Sequence, residues 1–162
     1  MKGLVIAISA CLFVLSTPAQ AQWLYQDKES AFGDDTLHIA LTASGSYAFG
    51  LRCKAGTFDA IFITPEQAEG SFGMLNMLKP KLRIRVDDQD IQNFDGEIEN
   101  ADGKVVILAA IERSLAEAIR DARRRVAVVI EVLGQRFHEQ SFNVRGSTNA
   151  VGKLLAKCGL LD

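Results

Sequence analysis

Short segments in which apolar and polar residues alternate recur along this chain, and they most strongly limit how it can fold. The clearest is residues 81–87, where Leu82 and Ile84 alternate with charged side chains. A period of two places successive side chains on opposite faces of a β-strand, so that one face is buried and the other meets solvent. We therefore expect Arg83 and Arg85 to point outward from this strand.

Seven further segments have strand character, and turn residues separate them. They are residues 37–43, 47–53, 57–64, 91–98, 104–110, 126–133 and 136–144. Short turns connect the first three, which predicts an antiparallel meander. The β-branched run from Val126 predicts a central strand.

Two segments in the second half of the chain have helical character. Residues 114–117 have the form of a capping box, in which a serine and a glutamate bond reciprocally to backbone N–H groups. Apolar residues then recur at helical spacing. A second helix is predicted over residues 148–157, after a cap at Gly146-Ser147, and Cys158 continues its apolar face. We expect Cys158 to point at the core.

The segment after residues 57–64 combines a helix start with a methionine-rich run. Residues 64–67 offer a cap, a proline suited to the first helical position and a glutamine that completes a capping box. Gly70 and Gly73 keep this segment short and loop-like. In the following run we expect Met74 and Met77 to fill the core, and an adaptable binding surface is the alternative.

These elements predict a mainly β chain of the β-rich α+β class. About eight antiparallel strands with two short helices would form a sandwich or a small open barrel, and the pattern favours neither. Residues 22–162 contain no internal repeat, low-complexity tract or linker, so we expect a single domain.

The first 21 residues have the anatomy of a cleaved export signal. A basic start at Lys2 precedes the apolar residues 4–15, and Ala19-Gln20-Ala21 has the small-residue form that signal peptidase accepts. Cleavage after Ala21 would leave 141 of the 162 residues, with a formal net charge of −3. We expect a periplasmic or secreted product, since no later apolar run approaches the ~20 residues that span a membrane.

The cysteines fit an oxidising compartment. Cys11 lies in the predicted signal, so Cys53 and Cys158 remain. An even number of cysteines in an exported chain predicts a disulfide, and two separately buried thiols are the alternative. A bridge would tie the C-terminal helix to an early strand. Closing a loop of this length stabilises a chain by at most about 4–5 kcal/mol.

Charge and residue content argue against several classes of function. The formal net charge of −2 speaks against a dedicated nucleic-acid binder, which needs a basic surface. The two histidines, His38 and His138, lie on predicted strands without the spacing of metal ligands, so we expect no metal centre. The sequence has neither a nucleophile elbow nor a glycine-rich phosphate loop, and we predict no enzymatic activity and no cofactor.

Two groups of arginines are candidate binding residues. Arg83 and Arg85 share the outward face of a predicted strand, and Arg123, Arg124 and Arg125 crowd the end of a predicted helix. The helix dipole favours cations at that end without any ligand. As a candidate surface for an acidic protein partner, these five arginines would act mainly on association rate and specificity.

Short pieces spread over the chain resemble a group of small exported proteins of Gram-negative bacteria. The group includes the invasion-associated locus B proteins and the periplasmic accessory proteins of type VI secretion. The matching pieces are Trp23, Leu51-Arg52-Cys53, Arg85-Val86-Asp87, Phe142-Asn143-Val144-Arg145-Gly146, Ala150, Leu154 and Cys158.

The resemblance implies a β-rich, disulfide-bonded periplasmic protein without known catalysis. It carries over Cys53 and Cys158 as a bonded pair and supplies no active site. We therefore expect a non-enzymatic interaction or accessory protein of the bacterial envelope, with a protein partner there and a link to secretion or host interaction. The alternative is a periplasmic inhibitor of lysozyme type, acting through the turn at residues 44–47 or 87–90, or a small-ligand-binding β protein.

Overall fold

The computed structural model describes residues 22–29, 36–70 and 72–158, so the predicted signal and its cleavage site lie outside the described residues. The strands are β1 (Leu24–Lys28), β2 (Leu37–Ser44), β3 (Tyr47–Lys54), β4 (Thr57–Gln67), β5 (Lys81–Val86), β6 (Gln92–Ala101), β7 (Lys104–Ala110), β8 (Arg125–Val132) and β9 (Gln135–Asn143). The helices are α1 (Gly73–Met77), α2 (Arg113–Asp121) and α3 (Ser147–Cys158).

The nine strands form one antiparallel sheet in the order β1-β2-β3-β4-β7-β6-β5-β8-β9. The prediction of a mainly β antiparallel fold is confirmed, and all eight predicted strands are present. The structure adds β1, an edge strand paired with β2, and the short helix α1. The segment through α1 carries the chain past β7 and β6 to β5, and two pairings, β4 with β7 and β5 with β8, join strands that are not consecutive in the chain.

The sheet curls until its two ends approach each other. Gln140 Nε2 of β9 donates a hydrogen bond to Ser44 Oγ of β2 at 3.0 Å. On the inner side, the ring of Phe142 in β9 lies 5.7 Å from that of Phe49 in β3 and 6.1 Å from that of Phe62 in β4. The architecture is therefore a single curled open sheet with its core inside the curl.

Trp23 fixes the chain just before β1 to the opposite end of the sheet. Its backbone N donates to Arg145 O and its Nε1 donates to Asn143 O, both at 2.9 Å. The indole is 2% exposed and packs edge-on against Phe49, with ring centroids 6.0 Å apart. An aromatic ring of this size contributes a large share of buried apolar area.

The helices α2 and α3 cover the core and pack on each other. Each helix buries its apolar face, and Thr148 Oγ1 at the start of α3 donates to Arg120 O in α2 at 3.1 Å. The predicted disulfide is confirmed, because Cys53 in β3 is bonded to Cys158 at the end of α3, with Cα atoms 6.1 Å apart. The bridge ties the C-terminal end of α3 to the sheet.

Two local helix signals were wrong. Residues 64–67 belong to β4, where Gln67 pairs with Lys104 of β7 and the Thr64 hydroxyl donates to Val105 O at 3.0 Å. Pairing with β7 therefore outweighs the local capping pattern. Ser114 is not a helix cap, since α2 begins at Arg113 after Glu112, which makes no side-chain capping bond.

The methionine-rich run lies on the surface and does not fill the core. Met74 and Met77 in α1 are each 81% exposed, and no residue of this helix is buried. Five residues are too few to make a helix stable on its own in water. The alternative interpretation, an adaptable binding surface, is the one that this position permits.

Candidate functional site

The strands β5, β8 and β9 lie side by side and present a basic outer face. Leu82 and Ile84 of β5 are buried in the core and pair with buried residues of β8. The intervening Arg83 and Arg85 consequently point to the outer face, as the alternation predicts. Arg85 is exposed, whereas Arg83 is half-buried.

A groove of about 190 Å³ runs over this outer face. Small side chains such as Ala127 and Val129 of β8 leave room between the longer side chains of the neighbouring strands. The arginines that line it come from all three strands and are Arg83, Arg85, Arg125 and Arg136. We call these four residues and the space between them the arginine groove.

Arg83 has one hydrogen-bond donor, Nε, without a partner in the described part of the chain. Its Nη1 forms an ion pair with Glu131 of β8, and its side chain is 19% exposed. Its Nε is buried and has no hydrogen-bond partner within the described part of the chain. Leaving such a buried donor unpaired costs about 1–3 kcal/mol.

The other three arginines of the groove form no ion pair with a carboxylate of the described segments, although the exposed Glu139 of β9 also lines the groove. Arg85 Nε donates to the carbonyl oxygen of Gln89 at 3.0 Å, which positions the side chain without pairing its charge. Arg125 and Arg136 are exposed. The guanidinium groups therefore present several planar donor edges that match the geometry of carboxylates.

Asp87 holds the start of β8 and so positions Arg125. Its carboxylate accepts from the backbone N–H groups of Arg123 (2.9 Å), Arg124 (2.8 Å) and Arg125 (3.0 Å). These bonds, above all those from Arg123 and Arg125, hold the pKa of the Asp87 carboxyl below its usual value. The side chain of Arg124 forms an ion pair with Asp88 in the same turn.

The structure divides the five arginines that the sequence singled out. It brings Arg83, Arg85 and Arg125 together in the arginine groove. Arg123 and Arg124 lie instead beside the turn after β5, where their backbone binds Asp87.

Arg136 is a member of the groove that the sequence reasoning missed. Its position could have been predicted from the β8–β9 hairpin. Counting outward from the two-residue turn at Leu133 and Gly134 pairs Glu131 with Arg136. Beyond this point the register shifts, so the rest of β9 could not be aligned in the same way.

Comparisons of the sequence with known family models and with curated proteins find no match. Among solved structures, the crystal structure of invasion associated protein B from Bartonella henselae matches with a TM-score of 0.55 and 12% identity. The match covers 84% of this chain and 94% of that one. The chain shares a fold with an invasion-associated protein. This agrees with the first group named in the resemblance, whereas the link to type VI secretion stays a prediction.

The two histidines lie on separate strands, and each contacts a tyrosine. His38 Nδ1 is hydrogen-bonded to Tyr25 OH at 2.8 Å, and His138 Nδ1 to Tyr47 OH at 3.3 Å. Burial, and secondarily the charge of Asp27, raises the pKa of the Tyr25 hydroxyl. Residues 22–29, 36–70 and 72–158 contain no cluster of three or more His, Cys, Asp or Glu side chains that could hold a metal ion.

No helix formed by the described residues is both long enough and apolar enough to cross a membrane.

Proposed function

We propose that this protein is a non-enzymatic interaction protein of the bacterial envelope that binds an acidic segment of a protein partner in the arginine groove. The observation that carries the proposal is the convergence of four arginines from three adjacent strands on one groove. Arg85, Arg125 and Arg136 form no ion pair within the described segments, and Arg83 Nε lacks an acceptor there.

The charges on the neighbouring strand favour a partner bound in one orientation. β6 lies next to β5 in the sheet, and its exposed Asp95, Glu97 and Glu99 carry the opposite charge. An acidic segment is attracted by the arginine groove and repelled by this adjacent stripe. Such a combination of attraction and repulsion fixes the register of a partner and rejects others.

The size of the expected effect follows from the exposure of the charges. Exposed ion pairs are each worth about 0.2–1 kcal/mol, because water and salt screen them. A contact with the guanidinium of Arg83 is worth more, since its side chain is 19% exposed and solvent screens it less. We therefore expect Arg125 and Arg136 to change mainly the association rate, and Arg83 to change mainly the dissociation rate.

The proposed compartment is the periplasm. The Cys53–Cys158 disulfide supports an oxidising compartment, and the pattern of residues 1–21 supports export. The fold shared with an invasion-associated protein supports an envelope accessory or host-interaction role. A role in secretion, including type VI secretion, is the finer form of the same proposal.

The test is capture of partners after mild cross-linking in cells, followed by mass spectrometry. The parent protein is compared with Arg125→Glu/Arg136→Glu, which reverses two exposed charges of the groove. The matched control is Lys28→Glu/Lys153→Glu, which reverses two exposed charges on β1 and α3.

We expect the parent and the control to recover the same stoichiometric partner and the groove variant to lose it. Equal recovery by all three proteins, or no partner with the parent, would contradict the proposal.

A further inference from the structure

A second cavity lies at the rim of the sheet opposite α2 and α3. It reaches Val105 at the start of β7 and Val132 at the end of β8, whereas α2 connects the other ends of these two strands. Its volume is about 520 Å³. This lies within the ~300–1,000 Å³ of pockets that bind small molecules, and the mouth of a curled sheet is a common position for them.

The wall of this cavity is mostly hydrocarbon. Residues of α1, β6 and the β8–β9 hairpin supply apolar side chains, among them Phe72, Leu75, Leu78, Ile98, Ile130 and Val132. The polar residues in its lining are Glu66, Gln135 and His138.

Two of the three polar residues in the lining, His138 and Glu66, are in contact. His138 Nε2 lies 3.2 Å from Glu66 Oε1, and its Nδ1 is bonded to Tyr47 OH. His138 occupies the irregularity between β8 and β9 with φ of 57°, a conformation that non-glycine residues adopt at a cost. The fold thus holds one polar contact point beside an apolar chamber.

Exposed apolar side chains occur in the lining of the cavity and on α1. Leu133 and Phe137 line the cavity and are 76% and 44% exposed, and Met74 and Met77, on either side of the lining residue Leu75 in the chain, are 81% exposed. Leu133 also has φ of 50° in a two-residue hairpin turn, where asparagine or glycine would be unstrained. A leucine at this position is unfavourable both for the backbone and for hydration, and its side chain lines the cavity.

The helix α1 covers the cavity without being part of the core. None of its residues is buried. It is fastened by Asn76, whose Nδ2 donates to Ile98 O at 3.0 Å and whose Oδ1 accepts from Ile98 N at 2.8 Å. The methionines and leucines of this segment take no part in these two bonds and can adapt to a ligand.

We propose that this cavity binds a single acyl chain of a fatty acid or lipid, with the polar head near His138 and Gln135. An acyl chain needs no hydrogen-bond partners along its length, and the hydrocarbon wall offers none. A peptide would bring backbone N–H and C=O groups that this wall cannot satisfy, which is costly. The site is separate from the arginine groove and goes beyond the proposed function.

The test is a fluorescence titration of the purified protein with cis-parinaric acid. The perturbing variant is Leu75→Asp/Leu78→Asp, which places charges in the wall at two positions that are each 41% exposed. The matched control is Leu24→Asp, because Leu24 is 61% exposed on β1 and does not line the cavity. Circular dichroism and the intact disulfide confirm that the variants are folded.

We expect saturable binding of one probe molecule per chain, unchanged in Leu24→Asp. The affinity of Leu75→Asp/Leu78→Asp should fall by about tenfold or more, since an unpaired charge is costly in an apolar site. Native mass spectrometry of protein prepared without detergent then identifies the source, because fatty acid and phospholipid adducts differ in mass. No saturable signal, equal affinity of the double variant, or a peptide adduct would overturn the proposal.

Discussion

Replacing Asp87 by asparagine tests how the arginine groove is held in place. Asp87 has φ of 51°, a conformation that asparagine also tolerates, so the substitution leaves the backbone preference nearly unchanged. Asparagine Oδ1 can keep the bonds from Arg124 and Arg125, which both reach Oδ1 of the aspartate. The bond from Arg123 reaches Oδ2 and is lost, because an amide group would face an N–H donor there.

The expected loss of stability follows from these three bonds. A hydrogen bond to a charged acceptor contributes about 1.5–3 kcal/mol, and exposure to solvent reduces that value. We expect Asp87→Asn to lower the free energy of unfolding by about 1–2 kcal/mol at pH 7. Asp88→Asn is the control, since its carboxylate pairs with an exposed Arg124 and its loss should cost under about 0.5 kcal/mol.

The effect of Asp87→Asn has a defined pH dependence. The pKa of Asp87 in the folded protein lies below its ordinary value of 3.8, so the charged carboxylate stabilises the fold fully above that value. This stabilisation is lost as the pH falls through the folded-state pKa. The stability difference between parent and variant should therefore be constant near neutral pH and shrink below about pH 4.

The assay is urea unfolding followed by the fluorescence of Trp23, the single tryptophan of the chain, which is 2% exposed in the fold. Loss of the Asp87 bonds should also loosen Arg125 at the start of β8. A variant within about 0.5 kcal/mol of the parent at pH 7, or a difference that persists unchanged at pH 3, would refute the reasoning.

Three further predictions use the same unfolding assay. Cys53→Ala/Cys158→Ala should lower the free energy of unfolding by about 3–5 kcal/mol, because the bridge closes a separation of 105 residues; a loss under about 1 kcal/mol would contradict this. Gly50→Ala should cost at least about 1 kcal/mol, since its Cβ would lie 2.7 Å from Ala40 O, and a neutral result would show that β2 can move aside. Leu133→Asn should raise stability by about 0.5–1 kcal/mol while weakening parinaric acid binding; unchanged stability would argue against strain at this turn.

Local patterns predicted the strands well, because apolar and polar residues alternate along a strand that buries one face and exposes the other. The alternation around Leu82 and Ile84 correctly placed Arg83 and Arg85 outside. The strand β1 was missed because it lies at an edge and is mostly exposed, so it carries no such alternation. The helix signal at residues 64–67 failed because pairing with β7, far along the chain, decided the outcome.

The arginine groove and the apolar cavity were harder to predict from the sequence, because they depend on which strands are neighbours in the sheet. Arg125 and Arg136 join Arg83 only through the order β5-β8-β9, which no local pattern specifies. The exposure of Met74 depends on what covers α1. A methionine-rich run has the same sequence character in a core and on a binding surface, so the sequence does not distinguish the two. The disulfide was predictable because assigning Cys11 to the predicted signal leaves Cys53 and Cys158, which have one pairing.

Photo-cross-linking from inside the arginine groove tests the central claim most directly. A benzoylphenylalanine is placed in living cells at Ser141, an exposed residue that lines the groove, and for comparison at Lys153, an exposed residue of α3. We expect one discrete cross-linked partner from Ser141, attached through an acidic segment, and none from Lys153. No product from Ser141, or the same product from both positions, would contradict the assignment of the groove as the binding site.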